Sequence, residues 1–361
     1  MIEVLPLGPG DRTAFFGLLT DIYPAGPVRA QLLLEQFGLF DPQWHPVLAH
    51  VDYELFLAWH GQRPVGRVAA IIDRHYPDAT AGFFGLFETQ PDQEAAGKLV
   101  QAAGDWLRGQ GKTVMFGPLA FNPNQKVGAL VEGFDQPPQP ALPYNPPYYA
   151  RLLEGAGLEK EIDLLAYLWD LGRGDRARLG RVAQQARRRL PGLVVRELGG
   201  TSLLRTQRAI GEVYNRCMTG GWGFVPLTDG ETAGFVRGLA SRRGIYLLAE
   251  ASGRPAGISL SLPLGPAASS GGGARFRLAI LGVVPEYQNR GLAAVLIEET
   301  VQAYARRGCR QVEMSLVAEN NTLMNRLIRL AQPAVARRCR VYRMALDQRA
   351  GQDHRLSDGG R

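Results

Sequence analysis

The sequence predicts a mixed α/β protein, a sheet covered by helices, built twice along one chain. Three observations carry this expectation. The chain has 361 residues, too many for one ordinary core and about right for two. Strand-like and helix-like segments alternate, the order of a helix-covered sheet. That order then recurs, with a boundary between Gly172 and Pro191.

In the first pass, residues 2–7 alternate like a short strand and residues 12–23 carry helical spacing. Residues 53–59 and 65–72 read as two strands joined by a turn holding Gly61 and Pro64. Residues 83–88 form an apolar, aromatic strand. Residues 93–110 place Ala96, Leu99, Val100, Ala103 and Leu107 on one helical face and run into Gly109 and Gly111, which stop it. A strand at 113–116 follows, then a Pro- and Asn-rich loop, a helix at 147–156, a stop at Gly157 and a strand at 162–169.

The second pass repeats the list. Residues 193–198 form a strand, and 203–214 and 228–240 form helices. Strands at 246–250 and 256–262 flank a turn with Gly253 and Pro255. A strand at 276–284, a helix at 292–307, a strand at 311–317, a helix at 321–330 and a strand at 340–346 complete it. Residues 263–274 are rich in Pro, Ser and Gly and predict a flexible hairpin tip. Residues 347–361 lack periodicity and predict a disordered tail. The expected domains are 1–172, a helical linker at 173–192, 193–346 and the tail.

Composition narrows the function. A hydrophobic fraction of 45% and a charged fraction of 21% suit a globular protein. No apolar run reaches a bilayer span, and the first ten residues lack the pattern of a signal peptide. A cytoplasmic protein with no membrane partner is the expectation. Cys217, Cys309 and Cys339 are scattered and the five histidines lack ligand spacing, so neither a disulfide framework nor a metal is expected. The net charge of +7 attracts anions, nucleic acid or cofactor phosphate alike. Its densest block holds Arg173, Arg176, Arg178, Arg181 and Arg187 to Arg189. Leu179, Val182, Ala186 and Leu190 recur through it, so it reads as an amphipathic helix with a solvated arginine face. Aromatic interleaving is missing there, and nucleic acid is not expected as a partner.

The most informative stretch runs from Leu278 through Val283, Val284, Pro285, Gln288, Asn289, Arg290, Gly291, Leu292 and Ala293 into an amphipathic helix. A buried strand ends at Pro285, and a tight turn opens a helix. Gly291 permits close backbone approach, and the amides of residues 289–293 fall at a helix N-terminus, where phosphate is favoured. Arg290 adds a charge-assisted contact. Neither a Walker A lysine nor a glycine-rich dinucleotide fingerprint is present.

Gln288-x-x-Gly291-x-Ala293 resembles the pyrophosphate motif of the GNAT superfamily of acyl-CoA N-acyltransferases, written Q/R-x-x-G-x-G/A. Across nearly its full length the chain resembles bacterial two-repeat GNAT-like proteins. The resemblance implies that Val283 and Val284 face pantetheine and that Gln288, Asn289, Arg290, Gly291, Leu292 and Ala293 hold the pyrophosphate of acetyl-CoA or another acyl-CoA. It also implies a strand ending in Asn320, which caps the next helix and contacts cofactor. The family's helix tyrosine is absent from residues 321–330, leaving Tyr342 as the nearest substitute acid. Glu313, which shares a strand face with Ser315, is the candidate base, by period two. Glu286 and Glu319 are weaker candidates.

At the matching place the first repeat lacks the motif and has Asp92 and Glu94, which repel phosphate; it reads as degenerate. Its Pro-rich loop presents Tyr144, Asn145, Tyr148 and Tyr149, either lining an acceptor pocket or packing against the sheet. The expected activity is direct transfer of an acyl group, acetyl foremost, to a small-molecule or peptide amine. Two alternatives stay open: a transferase using aminoacyl-tRNA, and a non-catalytic acyl-CoA-binding module.

Overall fold

A computed structural model describes residues 1–346 apart from 9, 37, 173–175, 265–273 and 330. Most of the expected hairpin tip, the whole expected tail and Arg173 lie outside the described residues. The chain divides into two compact units. The first is Met1–Asp163 with the chain from Cys339 onward, and the second is Leu164–Arg338.

The first unit contains β1 (Ile2–Pro6), α1 (Arg12–Ile22), α2 (Pro27–Gln36), β2 (Val51–His60), β3 (Arg63–Asp73), β4 (Ala81–Thr89), α3 (Gln93–Gly109), β5 (Val114–Leu119), β6 (Ala129–Glu132), α4 (Tyr149–Gly155) and the start of β7 (Glu159–Asp170). Strands follow the order β1-β2-β3-β4-β5, antiparallel except for the parallel pair β4–β5. α3 packs its expected stripe, Ala96, Leu99, Val100, Ala103 and Leu107, into this core with none of them more than 1% exposed. Burying such side chains contributes about 1.5–3 kcal/mol for each large one. α2 and β6 were not foreseen. α2 buries only Leu32, so its sequence carries little periodic signal.

The second unit contains the end of β7, α5 (Arg176–Arg189), β8 (Leu193–Leu198), α6 (Gly200–Arg205), α7 (Gln207–Cys217), α8 (Asp229–Ala240), β9 (Ile245–Ala251), β10 (Arg254–Leu264), β11 (Arg275–Val283), α9 (Leu292–Arg306), β12 (Gln311–Ala318), α10 (Thr322–Arg329) and the start of β13 (Ala334–Ala345). The helix expected at 203–214 is two helices. Thr206, at the joint, turns its hydroxyl onto the carbonyls of Ser202 and Leu203, a local bond that competes with helix continuation. α8 opens on a reciprocal cap in which Thr228 and Glu231 each satisfy the other's amide. α5 is no free linker: Ala183, Ala186 and Leu190 are buried in this unit's core, while Arg181, Arg188 and Arg189 face solvent and Arg187 pairs with Glu299.

The compact units do not follow the boundaries drawn in sequence. β5 pairs antiparallel with residues 342–345 of β13, not with β7 of its own repeat. β12 pairs antiparallel with the second half of β7. Each repeat thus completes its sheet with a strand encoded in the other's stretch of chain. The strand expected to close the second half spends its end in the first unit.

Candidate functional site

In the second unit, β11 and β12 pair in parallel from Arg275↔Gln311 to Leu278↔Met314 and then part. β11 nonetheless continues to Val283 and β12 to Ala318. Leu278, Leu281 and Val283 on one strand and Val317 on the other are half-buried around this opening. Val284 donates its N–H to Ala256 on the β10 side. By strand alternation, the peptide groups of Leu281 and Val283 then turn to the open edge. An extended amide chain laid there would add to the sheet.

At the end of β11 the chain makes a short turn, with Asn289 at φ 57° and Gly291 at φ 86°. Left-handed backbone at such positions is the geometry in which successive N–H groups can converge. Gly291 is the N-cap of α9 and supplies no side chain, so the first-turn amides of α9 stay uncapped. Glycine is required here twice over. An added Cβ would strain the backbone and would meet the Ala186 Cβ of α5 at 2.7 Å. Gln288 does not reach outward: its Nε2 donates to the Val283 carbonyl at 3.0 Å, stapling the turn to the strand. Arg290 is exposed, with its guanidinium 5.9 Å from the Tyr287 ring centroid. Leu292 is fully buried and anchors the helix start. Val284 is also buried, so of the two valines expected to face pantetheine, Val283 alone keeps exposure.

The other expected residues scatter. Asn320 is exposed, and the cap of α10 is made instead by Asn321, whose Oδ1 accepts from the Met324 N–H. Glu313 is 3% exposed, accepts from the Ser315 hydroxyl at 2.8 Å and lies 3.7 Å from Arg337 Nε. Its register neighbour on β11 is Arg277, also buried. A carboxylate so compensated is held by structure first. Tyr342 is in the first unit, fully buried, its hydroxyl donating to Glu154 at 3.3 Å; burial pushes its phenol up. The structure does not bring Tyr342 into the second unit with Glu313. Glu286 pairs with Arg216 in solvent.

One phenol that sequence reasoning missed does stand by the opening. Tyr167 of β7 packs in the same cluster as Leu278, Leu281, Val283 and Val317, and donates to Asn325 Oδ1 at 2.9 Å. Asn325 in turn holds the carbonyls of Ala318 and Glu319, at the end of β12. A hydroxyl therefore reaches α10 although α10 has no tyrosine. The only signal in the sequence was the unmatched Asn325 on an otherwise amphipathic helix. Cys217 packs where a Cβ on Gly282 would sit, and burial pushes its thiol up to about 12, so it is no thiolate nucleophile at neutral pH.

In the first unit the equivalent helix start is closed. Asp92 caps α3 with its own carboxylate, accepting from the N–H groups of Glu94 and Ala95. Asn145 is buried and bonds both the N–H and the carbonyl of Leu130 on β6. Tyr148 donates to the Thr89 carbonyl at 2.9 Å, and Tyr144 packs beside Leu19 and Tyr23. Among the described residues, His50, Asp73 and His75 are near enough to share a metal ion. Asp73, however, already accepts from His50 Nδ1, the His75 N–H and Asn122 Nδ2.

Residues 208–331 match the model of the acetyltransferase (GNAT) family. The chain is 34% identical over 240 residues to the bacterial ceramide synthase of Caulobacter vibrioides, a match spanning 64% of this chain but 62% of that protein. Over 369 aligned residues it is 29% identical to the protein YghO of Escherichia coli, covering 93% of each. In fold it is similar to a tandem GNAT protein from the clavulanic acid biosynthesis pathway, with a TM-score of 0.57 at 15% identity, covering 96% and 99% of the two chains. A GCN5-related N-acetyltransferase of Sphaerobacter thermophilus gives 0.52 at 17% identity, covering 96% of each.

Proposed function

We propose, for a chain with two GNAT-type domains in tandem and a GNAT-family sequence in the second, that it transfers an acyl group from acyl-CoA to an amine by direct attack. The observation that carries this reading is the opening between β11 and β12 beside the uncapped turn at 289–293. The turn's amides would hold the pyrophosphate, and the edge at Leu281 and at the Val283 N–H would pair with pantetheine. The thioester carbonyl would then lie where the strands part. The amine nitrogen attacks that carbonyl, its proton passes to a base, and the tetrahedral intermediate expels the thiolate. Tyr167 is the proposed donor that protonates the departing sulfur. Glu313 remains a candidate base, acting through Ser315 or water.

The relative named bacterial ceramide synthase bears on the substrate. A ceramide is an amide, so the name denotes N-acyl transfer. By that likeness we favour an acyl donor longer than acetyl. The half-buried apolar residues Leu278, Leu281 and Val317 suit a chain of methylenes, each worth about 0.8 kcal/mol on burial.

Calorimetry with CoA and thioester-consumption assays over acyl-CoAs of rising length, against a panel of amines, test the reading. Gly291→Ala is expected to weaken CoA at least about tenfold, or about 1.4 kcal/mol. Unchanged affinity in a folded Gly291→Ala protein removes the turn from the site. Binding without turnover on every amine leaves an acyl-CoA-binding module in its place.

A further inference from the structure

The first unit has lost its phosphate turn, yet the inner end of its own opening keeps polar machinery that packing does not require. β4 and β5 part after Gly85↔Leu119, and β4 runs on to Thr89. Glu88 sits on that free continuation. Its Oε2 accepts from the Tyr149 hydroxyl at 2.7 Å and the Tyr23 hydroxyl at 2.9 Å. Tyr149 is itself oriented by the Thr89 N–H, and Tyr148 by the Thr89 carbonyl. Among the described residues Glu88 Oε1 takes no hydrogen bond, and the residue as a whole is half-buried.

Arg67 stands directly across from Glu88 on β3. It is 3% exposed but makes no ion pair with Glu88. Its NH1 goes to the Phe15 carbonyl and Gln36 Oε1, its guanidinium lies over the Phe15 ring, and its Nε has no hydrogen-bond partner. A carboxylate and a guanidinium in register would close on each other unless held apart. The fold keeps them from pairing, and burial pushes the Glu88 carboxyl above the usual range against the pull of Arg67 and the two tyrosine hydrogen bonds. Two tyrosine hydroxyls point at it, and a third, that of Tyr148, bonds the backbone of the next residue.

We propose that Glu88, oriented by Tyr23 and Tyr149 and flanked by Tyr148, forms a second ligand site, in the first unit, for the ammonium group of a primary amine. Oε1 accepts the ammonium hydrogen bond and the phenol rings shield it from water. Such an amine belongs to the class that the transfer proposed above consumes, a link that rests on that reading; the binding itself does not.

Hexylammonium is titrated into the full chain without any thioester, with hexanol as the uncharged control. Saturable binding of the amine and none of the alcohol is expected. Glu88→Gln keeps the shape and should weaken binding about tenfold or more, and Tyr149→Phe should weaken it less. Binding should strengthen as pH rises through the Glu88 titration. Of the groups facing it, Arg67 and Lys126 pull the carboxyl down against burial, and burial raises the phenols of Tyr23, Tyr148 and Tyr149. Gly291→Ala should leave amine binding intact while losing CoA, which separates failure of this site from failure of the donor site. Equal affinity in the wild type and in a Glu88→Gln protein with an unchanged melting curve overturns the proposal. So does the absence of saturable binding to the wild type, or equal binding of hexanol.

Discussion

At the scale of single residues, the proposed transfer divides its proton chemistry between Tyr167 and Glu313. Glu313 is buried between Arg337 and the β11 position of Arg277, so its charge is compensated whether or not it touches substrate. Removing one partner of such a pair costs about 3–5 kcal/mol, because the other is left buried and alone. Glu313→Gln is therefore expected to lower stability as well as rate. Tyr167 offers a cleaner test. Tyr167→Phe keeps the ring and removes only the hydroxyl on Asn325. If that hydroxyl protonates the leaving thiolate, kcat should fall about 10²-fold or more with KM near its original value. The alkaline limb of the pH profile should also flatten. A fall in KM and kcat together, or no change in either, assigns Tyr167 to packing. Sequence pattern pointed to Tyr342 for this task because residue types are legible and side-chain neighbours are not. Tyr167 and Asn325 lie 158 positions apart.

Elements explain why one helix start is open and the other is closed. α9 begins on Gly291, with its amides open, and α3 begins on Asp92, whose carboxylate occupies two amides. That contrast was readable from sequence, since a turn and a cap are made by neighbours in the chain. The packing of α5 on Gly291 was not, because nothing local announces that Ala186 fills the space beside it. Asp92→Ala should cost about 1 kcal/mol of stability through loss of the cap. It should shift the melting temperature down and leave CoA affinity unchanged. Gain of CoA binding by the first unit would instead mean that the carboxylate alone excluded it. Glu94, in the same first turn, argues that it does not.

Over the whole molecule the exchange of β7 and β13 decides which unit each terminal strand supports. The alternating pattern at 340–346 predicts a strand correctly but cannot name its partner, since both β5 and β12 offer an open antiparallel edge. Tyr342 reports the outcome. It pairs with Gly117, is fully buried in the core around α3 and α4, and bonds Glu154. Tyr342→Ala should cost about 3–5 kcal/mol, the range for emptying a buried aromatic site. The loss should fall on the first unit. Amide hydrogen exchange read by mass spectrometry would show β5 and α4 losing protection while β11 and α9 keep theirs, and CoA affinity should hold. Tyr342→Phe should be close to silent in transfer assays. Loss of protection confined to β11 and β12 would mean that β13 closes the repeat that encodes it, and the exchange would be wrong.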